Sequence, residues 1–296
     1  MDLATGLLAL GSAKLAERIL GPTFDYVGSG LKDYAEKSVH NIGRVLANAG
    51  ERLGPKIEDP GSVPAKVLRR LLSEAAFCED GITAEYLGGV LASSRSGVSR
   101  DDRGGYYVQL IGRLSTYQVR AHYIFYQLTK DIFDGRNLSP NAPLHRNLMR
   151  VYVPLDEFIA AMDFCEDEQV SPITSHIVGG LLKESLIQYF RVGDVESIRD
   201  EFEYSKGAFG KDYTERKAYL RERISQGGIV FEPSPEGTEL FLWAFGKGDT
   251  SVADFLLPEN KFRVDSAVVL PKKCQEVKPI TTNTVTTAAR SYRKRD

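Results

Sequence analysis

The spacing of apolar residues between positions 62 and 133 constrains this chain more than any other feature. In SVPAKVLRRLLSEAAF, residues 62–77, the apolar positions Val67, Leu68, Leu71, Leu72 and Ala75 recur every three or four residues. That repeat lines up side chains along one stripe of an α-helix. Pro64 stands where the helix begins, and its missing N–H is harmless there because the first-turn donors have no intrahelical acceptor. GITAEYLGGVLASS, residues 81–94, repeats the scheme, with Tyr86, Leu87, Val90 and Leu91 on the apolar face and Thr83 placed to cap. DDRGGYYVQLIGRL predicts a third helix over 101–114. Ser115 with Gln118 three residues on is a capping box that opens a fourth, in which Val119, His122, Tyr123 and Tyr126 share a face. Four short helices with short joints predict a compact bundle.

Upstream, Leu3, Leu7, Leu8, Leu15, Ile19 and Leu20 form a loose stripe interrupted by Gly6 and Gly11, and Gly21-Pro22 ends it. A further helix is expected from about Pro22 to Leu53. Downstream, DGRNLSPNAPLHRN (134–147) has the Pro/Asn/Gly content of a joint. VYVPLDEFIAAMDF then predicts a helix, CEDEQ an acidic turn, and Ser171-Pro172 the start of a helix reaching about Leu186. IQYFRV predicts a strand, and the charged run 194–226 two exposed helices. GIVFEPSPEGTELFLWAFG, residues 228–246, changes period within nineteen letters. Gly228-Ile229-Val230-Phe231 reads as a strand, Pro233-Ser234-Pro235 stops it, and Ser234 caps a closing helix with Pro235 at its first position.

The expected fold is mainly α: a helical bundle in the N-terminal half, then a winged-helix-like α+β half. The expected organisation is a bundle over 1–135, a connector over 136–150, a winged-helix-like domain over 151–260 with a charged insertion at 192–227, and a mostly disordered basic tail over 261–296. The tail inference rests on residues 271–296, which hold seven basic and two acidic residues among many threonines.

Composition narrows the function classes. A formal net charge of -2 over 296 residues shows no global bias toward nucleic acid. Cys78, Cys165 and Cys274 lie far apart and form no CxxC pair, which suits a reducing cytoplasm. No apolar run approaches the roughly 18 residues of a membrane span. The N-terminus lacks a basic region before its apolar residues, so it is a poor signal peptide.

Catalytic patterns are missing. His40, His122, His145 and His176 show no HExxH or paired spacing. His122, on an aromatic helix face, reads as a satisfied core histidine, and His145 as a solvated connector residue. Glu166-Asp167-Glu168 reads as an ordinary acidic turn. GAFGKD (207–212) resembles a phosphate loop, but Ser205 stands where the first glycine is needed and Asp212 where Ser or Thr is needed. VGSG at 27–30 has no preceding strand. Cys78 has no evident base or pKa-lowering neighbour. The aromatic helices between Tyr106 and Tyr126 read as core. No catalytic, cofactor-binding or metal residues are therefore assigned, no cofactor is implied, and the chain is expected not to be an enzyme. The one candidate contact patch is Lys206, Lys211, Arg216, Lys217, Arg221 and Arg223, set against Asp212, Glu215 and Glu222. A solvated helical face is the favoured explanation, with a phosphate or protein contact as the alternative.

VPAKVLRRLLSEAAFCEDGITAEYLGGVLASS resembles the signature segment of the abortive-infection alpha (Abi-alpha) family, bacterial proteins associated with phage defence. DDRGGYYVQLIGRLSTYQVRAHYIFYQL is similar to that family's next helical pair. LGPTFDYVGSGLKDYAEKSVHNI is similar to its N-terminal helix, and GGLLKESLI and FEPSPEGTELFLWAFG to its winged-helix-like half. The resemblance spans roughly 20–135 and 155–246; residues 192–227 depart from it as an insertion. It implies a non-enzymatic anti-phage protein, acting in the cytoplasm through a protein partner of phage or host origin. It carries no site residues. Two alternatives stand beside it: a winged-helix regulator binding nucleic acid, and an effector associating with a membrane through residues 1–20. A second copy of the chain remains a candidate partner, and a membrane is the least favoured.

Overall fold

The computed structural model describes residues 18, 35–98, 100–204, 224–262 and 268–277. The helix expected over the first twenty residues and the basic patch of the insertion lie outside them. The chain forms two compact units. Unit 1 comprises Met1–Arg120, Glu239–Thr250 and Phe262–Ala267; unit 2 comprises Ala121–Thr238, Ser251–Lys261 and Val268–Asp296. The described architecture is mostly helical with one small antiparallel sheet.

Unit 1 is built from α1 (Ala35–Leu53), α2 (Ala65–Ala76), α3 (Gly81–Ser94), α4 (Gly104–Arg113) and the start of α5 (Thr116–Phe133). The periodicity read from the sequence is the buried face of α2: Val67, Leu68, Leu71, Leu72 and Ala75 are all buried. Helix α3 is buried at most of its positions, as expected for a helix that is apolar nearly all round. Its paired glycines explain how. A Cβ on Gly88 would lie 2.6 Å from Cβ of Asn48, and one on Gly89 only 1.7 Å from the carbonyl oxygen of Ala244. The two missing side chains let backbone approach α3 from two directions.

Asp80, not Thr83, caps α3. The helix starts at Gly81, so Thr83 occupies the third helical position, and its N–H and hydroxyl both donate to Oδ2 of Asp80 at 2.7 Å. The Ser115–Gln118 box forms as expected: the Ser115 N–H donates to Oε1 of Gln118 at 2.9 Å, and the Gln118 N–H to Oγ of Ser115 at 3.4 Å. Trp243 is buried in this unit, stacked by Tyr107 at 4.6 Å between centroids, with the Arg103 guanidinium 5.3 Å above its ring. Phe241 and Phe245 pack with each other and with Phe262.

Unit 2 contains the rest of α5, then α6 (Pro143–Leu148), β1 (Val151–Pro154), α7 (Leu155–Met162), α8 (Val170–Lys183), β2 (Ile187–Gly193), α9 (Val195–Tyr204), β3 (Gly228–Pro233), the first turn of α10 (Pro235–Ala244) and β4 (Gln275–Glu276). The strands lie in the order β2-β3-β1-β4, every neighbouring pair antiparallel.

Two sequence expectations are corrected here, and the expectation of a mostly disordered tail gains a detail. The helix expected over 151–164 starts only at Leu155. Val151–Pro154 is a strand paired with β3 from Val151↔Phe231 to Pro154↔Gly228. β-branched and aromatic residues suit it, and Pro154 pushes Val153 toward extended backbone. The tail is not wholly irregular: β4 pairs with β1, Val277 is buried, and Glu276 forms an ion pair with Arg136. The charged run after 194 is not simply exposed either. Ile198 of α9 is fully buried and shares a core with Tyr152, Ile224, Val230 and Val277; one apolar anchor in a charged helix is too sparse to show as a period.

Residues 121–130 of α5 are buried without interruption. Phe125 stacks on Phe231 at 4.3 Å and on Phe158 at 5.8 Å. Apart from the Gln127 Oε1, which is buried without a partner, the polar groups of the segment are hydrogen-bonded, as buried polar groups generally are. Nε2 of His122 sits 3.0 Å from the Gly237 carbonyl, the Thr129 hydroxyl donates to the Phe125 carbonyl at 2.8 Å, and Lys130 donates to the Leu257 carbonyl at 2.7 Å and pairs with Asp134. His122 is thus the satisfied core histidine expected from the sequence.

Candidate functional site

The segment expected to be a plain connector contains α6, with Pro143 in its first turn. That helix carries Arg146 to the wall of a cavity of about 340 Å³ in unit 2, whose other lining residues are Leu182, Ser185, Ile187, Gln188, Ser234, Pro235 and Glu236. The lining is mostly polar in side-chain type and comes from four elements or their ends.

Local structure places each group. Helix α8 ends in a left-handed residue: Ser185 has φ 57°, its N–H donates to the Leu182 carbonyl at 3.0 Å, and the Leu186 N–H reaches back to the Leu181 carbonyl at 2.7 Å. These closing bonds satisfy carbonyls at the helix end that would otherwise be orphaned. Strand β2 begins immediately afterwards with an irregularity. Ile187 pairs with Pro233 and Tyr189 with Glu232, so Gln188 is an extra residue with no partner in β3. Such a bulge re-aims a side chain at a sheet edge. Across the cavity, Ser234 caps α10 as expected, its Oγ accepting from the Gly237 N–H at 2.9 Å and donating to the Ser185 carbonyl at 2.6 Å.

Behind this wall stands Tyr126, fully buried. Its hydroxyl donates to the Leu186 carbonyl at 2.7 Å and accepts from the Ser234 N–H at 2.9 Å. Burial raises this phenol well above the ordinary tyrosine range, so it stays protonated. Burial likewise pushes the His122 imidazole down to about 3, so it is neutral. The wall is therefore uncharged; the charges of the cavity are Arg146 and Glu236.

Arg146 spends only part of its guanidinium on the fold. Its Nη1 donates to the carbonyls of Pro140 and Asn141 at 2.8 and 3.1 Å, while Nε is buried without an acceptor. No described carboxylate forms an ion pair with it. The side chains of Ser185, Gln188 and Glu236 also make no hydrogen bond among the described residues. The arrangement offers one cation, one anion, an amide and a free hydroxyl at a concave surface, which suits orientation of a polar ligand.

The outward face of α8 presents Ser171, Pro172, Ser175, His176, Gly179, Leu182 and Lys183. It is a small-residue face with little charge. Lys206, Lys211, Arg216, Lys217, Arg221 and Arg223 lie outside the described residues, as does GAFGKD. Glu166 and Asp167 are exposed, and Glu168 caps its own turn by accepting from the Cys165 N–H at 2.6 Å. No group of His, Cys, Asp and Glu among the described residues could hold a metal ion. Burial raises the Cys78 thiol to about 11 and the Cys274 thiol to about 12, against the direction a nucleophile needs. His145 departs from expectation: it is half-buried, and its Nδ1 accepts from the Ser139 N–H at 3.0 Å. The Pro/Asn turn around it folds back to supply that donor. The cavity as a site was not legible in the sequence, since of its lining residues only Ser234 and Pro235 belong to a recognisable motif.

Among the described residues no helix is long and apolar enough to cross a membrane. Comparison with protein-family models, with curated proteins and with solved structures finds no match.

Proposed function

We propose that this chain is a non-enzymatic, cytoplasmic anti-phage protein of the abortive-infection type that acts by binding another protein, and that unit 2 is its winged-helix-like module. The succession β1, α7, α8, β2 and β3, interrupted by α9 between the last two strands and with β3 lying between β2 and β1, supports that description of the module. In such a module α8 is the helix that would enter a DNA groove. The observation that carries the protein-binding reading is the composition of its outward face: Ser171, Ser175, Gly179 and Leu182, with His176 and Lys183 as its titratable groups. Helices that read DNA need several arginines or lysines to reach phosphates. A face of small side chains with one exposed leucine suits close approach by another protein instead.

The defence role rests on the resemblance of residues 20–135 and 155–246 to the Abi-alpha pattern. Its test is a phage challenge of bacteria expressing the chain. Protection at a low phage-to-cell ratio, with death of infected cells at a high ratio, is the expected outcome. No protection at either ratio would count against it. DNA binding that weakens steeply with salt and disappears when Lys211, Arg216, Lys217, Arg221 and Arg223 are neutralised would replace it by the regulator reading. Co-flotation of the full chain with liposomes would favour association through residues 1–20.

A further inference from the structure

We propose that the cavity at Arg146 seats the C-terminal carboxylate of an extended peptide, whose preceding residues add to the outer edge of β2. This deepens the protein-binding reading of unit 2 and rests on it.

Two independent observations converge on this occupant. The first is the state of Arg146. Its Nη1 is held by two backbone carbonyls, which aims the guanidinium and leaves the Nε–Nη2 edge without an acceptor. Nη2, which makes no hydrogen bond among the described residues, is the guanidinium nitrogen left to a ligand and can donate a charge-assisted hydrogen bond to one oxygen of a carboxylate. The second observation is where the cavity lies. Ile187 and Gln188 line it, and both begin β2, the terminal strand of the sheet, for which β3 is the only strand neighbour among the described residues. A chain leaving the cavity along β2 meets Tyr189, Phe190 and Arg191, all half-buried, and the exposed Val192. Edge addition supplies main-chain hydrogen bonds, while a terminal pocket fixes the register.

The neighbouring groups narrow the chemistry to a single negative charge. Glu236 lines the same cavity, so a dianionic phosphate would be opposed more strongly than a carboxylate. Ser185 and Gln188, with no partners for their side chains among the described residues, can bond to the last peptide group. A volume of about 340 Å³ stands at the small end of ligand pockets, and fits a terminal residue rather than a folded domain.

The test uses the full chain on an array of random hexapeptides attached through their N-termini, printed once with free C-terminal carboxylates and once amidated. Binding to the free set at least tenfold above the amidated set is expected. Arg146→Gln should reduce the free-set signal to the amidated level, and Arg146→Lys should restore part of it. Glu236→Gln should strengthen binding severalfold by removing the opposing charge; it also carries the test should Arg146→Gln fail to fold, as a thermal melt would show. Equal signals on both sets, no signal on either, or weaker binding by Glu236→Gln would overturn the assignment. So would inhibition by inorganic phosphate that exceeds inhibition by acetate. A chain that protects against phage yet ignores the carboxylate sinks this site alone. Carboxylate-dependent binding without protection supports the site and sinks the defence role.

Discussion

Units 1 and 2 hold together differently. In unit 1 most of the core comes from helices that follow one another: the stripe of α2 is buried beside α3 and α4, which lie within the next forty residues. In unit 2 the core depends on residues brought from afar. Phe125 stacks on Phe231, β1 pairs with β3 some eighty residues on and β4 more than a hundred on, and the Tyr126 hydroxyl bridges residues 186 and 234. Contacts between chain neighbours leave a period in the sequence, whereas contacts between distant segments leave only isolated suitable residues. One unit therefore rests mainly on apolar packing, both between neighbouring helices and against the distant segment around Trp243 and Ala244, whereas the other also relies on a few buried polar bonds at long range.

That contrast can be broken first in unit 1. Gly89→Val would drive a side chain into the Ala244 carbonyl, 1.7 Å from where its Cβ must sit. Backbone cannot rotate away as a side chain can, so a loss of about 3 kcal/mol or more is expected. Urea denaturation would show it as a lowered midpoint or as failure to obtain folded protein; a midpoint within error of the parent would contradict the packing of α3.

The matching change in unit 2 is polar. Tyr126→Phe keeps the ring and leaves the Ser234 N–H and the Leu186 carbonyl without that partner in a buried site. Unsatisfied buried groups of this kind cost about 2–3 kcal/mol together. A loss below about 0.5 kcal/mol would mean that other groups replace the hydroxyl. His122 adds a pH dependence to the same region. Its folded pKa is about 3, below the unfolded value of 6.5, so the unfolded chain takes up the proton first as pH falls. Stability from this residue is complete above pH 6.5 and lost progressively from there down toward pH 3. Between pH 8 and 5 the loss is on the order of 2 kcal/mol, at about 1.4 kcal/mol per pH unit below the unfolded pKa. His122→Gln should flatten that part of the profile, and an unchanged slope would place the acid sensitivity elsewhere.

What was legible in the sequence follows the same division. The four helices from Ala65 to Phe133, the Ser115–Gln118 box, the strand at Gly228 and the Ser234 cap all follow from short-range chemistry, and each forms. β1 was misread because VYVP is too short to show alternation and runs directly into a helix. β4 was missed because Gln275-Glu276 has no strand character of its own; its pairing partner decides it. The candidate site was illegible for a related reason. Arg146, Ser185, Gln188 and Glu236 are spread over ninety residues, and what unites them is the sheet topology and a one-residue bulge. No local pattern encodes either.

The smallest expected effect is also the sharpest comparison, because it sets one cap in each unit side by side. Asp80→Ala removes an acceptor from the Thr83 N–H and hydroxyl at the start of α3, and water reaches that half-buried position to replace it. A loss of about 1 kcal/mol is expected, the usual worth of such a cap. Ser234→Ala removes the cap of α10 and in addition the bond to the Ser185 carbonyl, at a residue with 2% exposure where water does not compensate. It should therefore cost more than Asp80→Ala by about 1 kcal/mol, the worth of one further buried hydrogen bond. Equal losses by chemical denaturation would show that the Ser234–Ser185 bond contributes nothing net. Unit 2 would then owe its long-range cohesion to the Tyr126 hydroxyl and the aromatic stack instead.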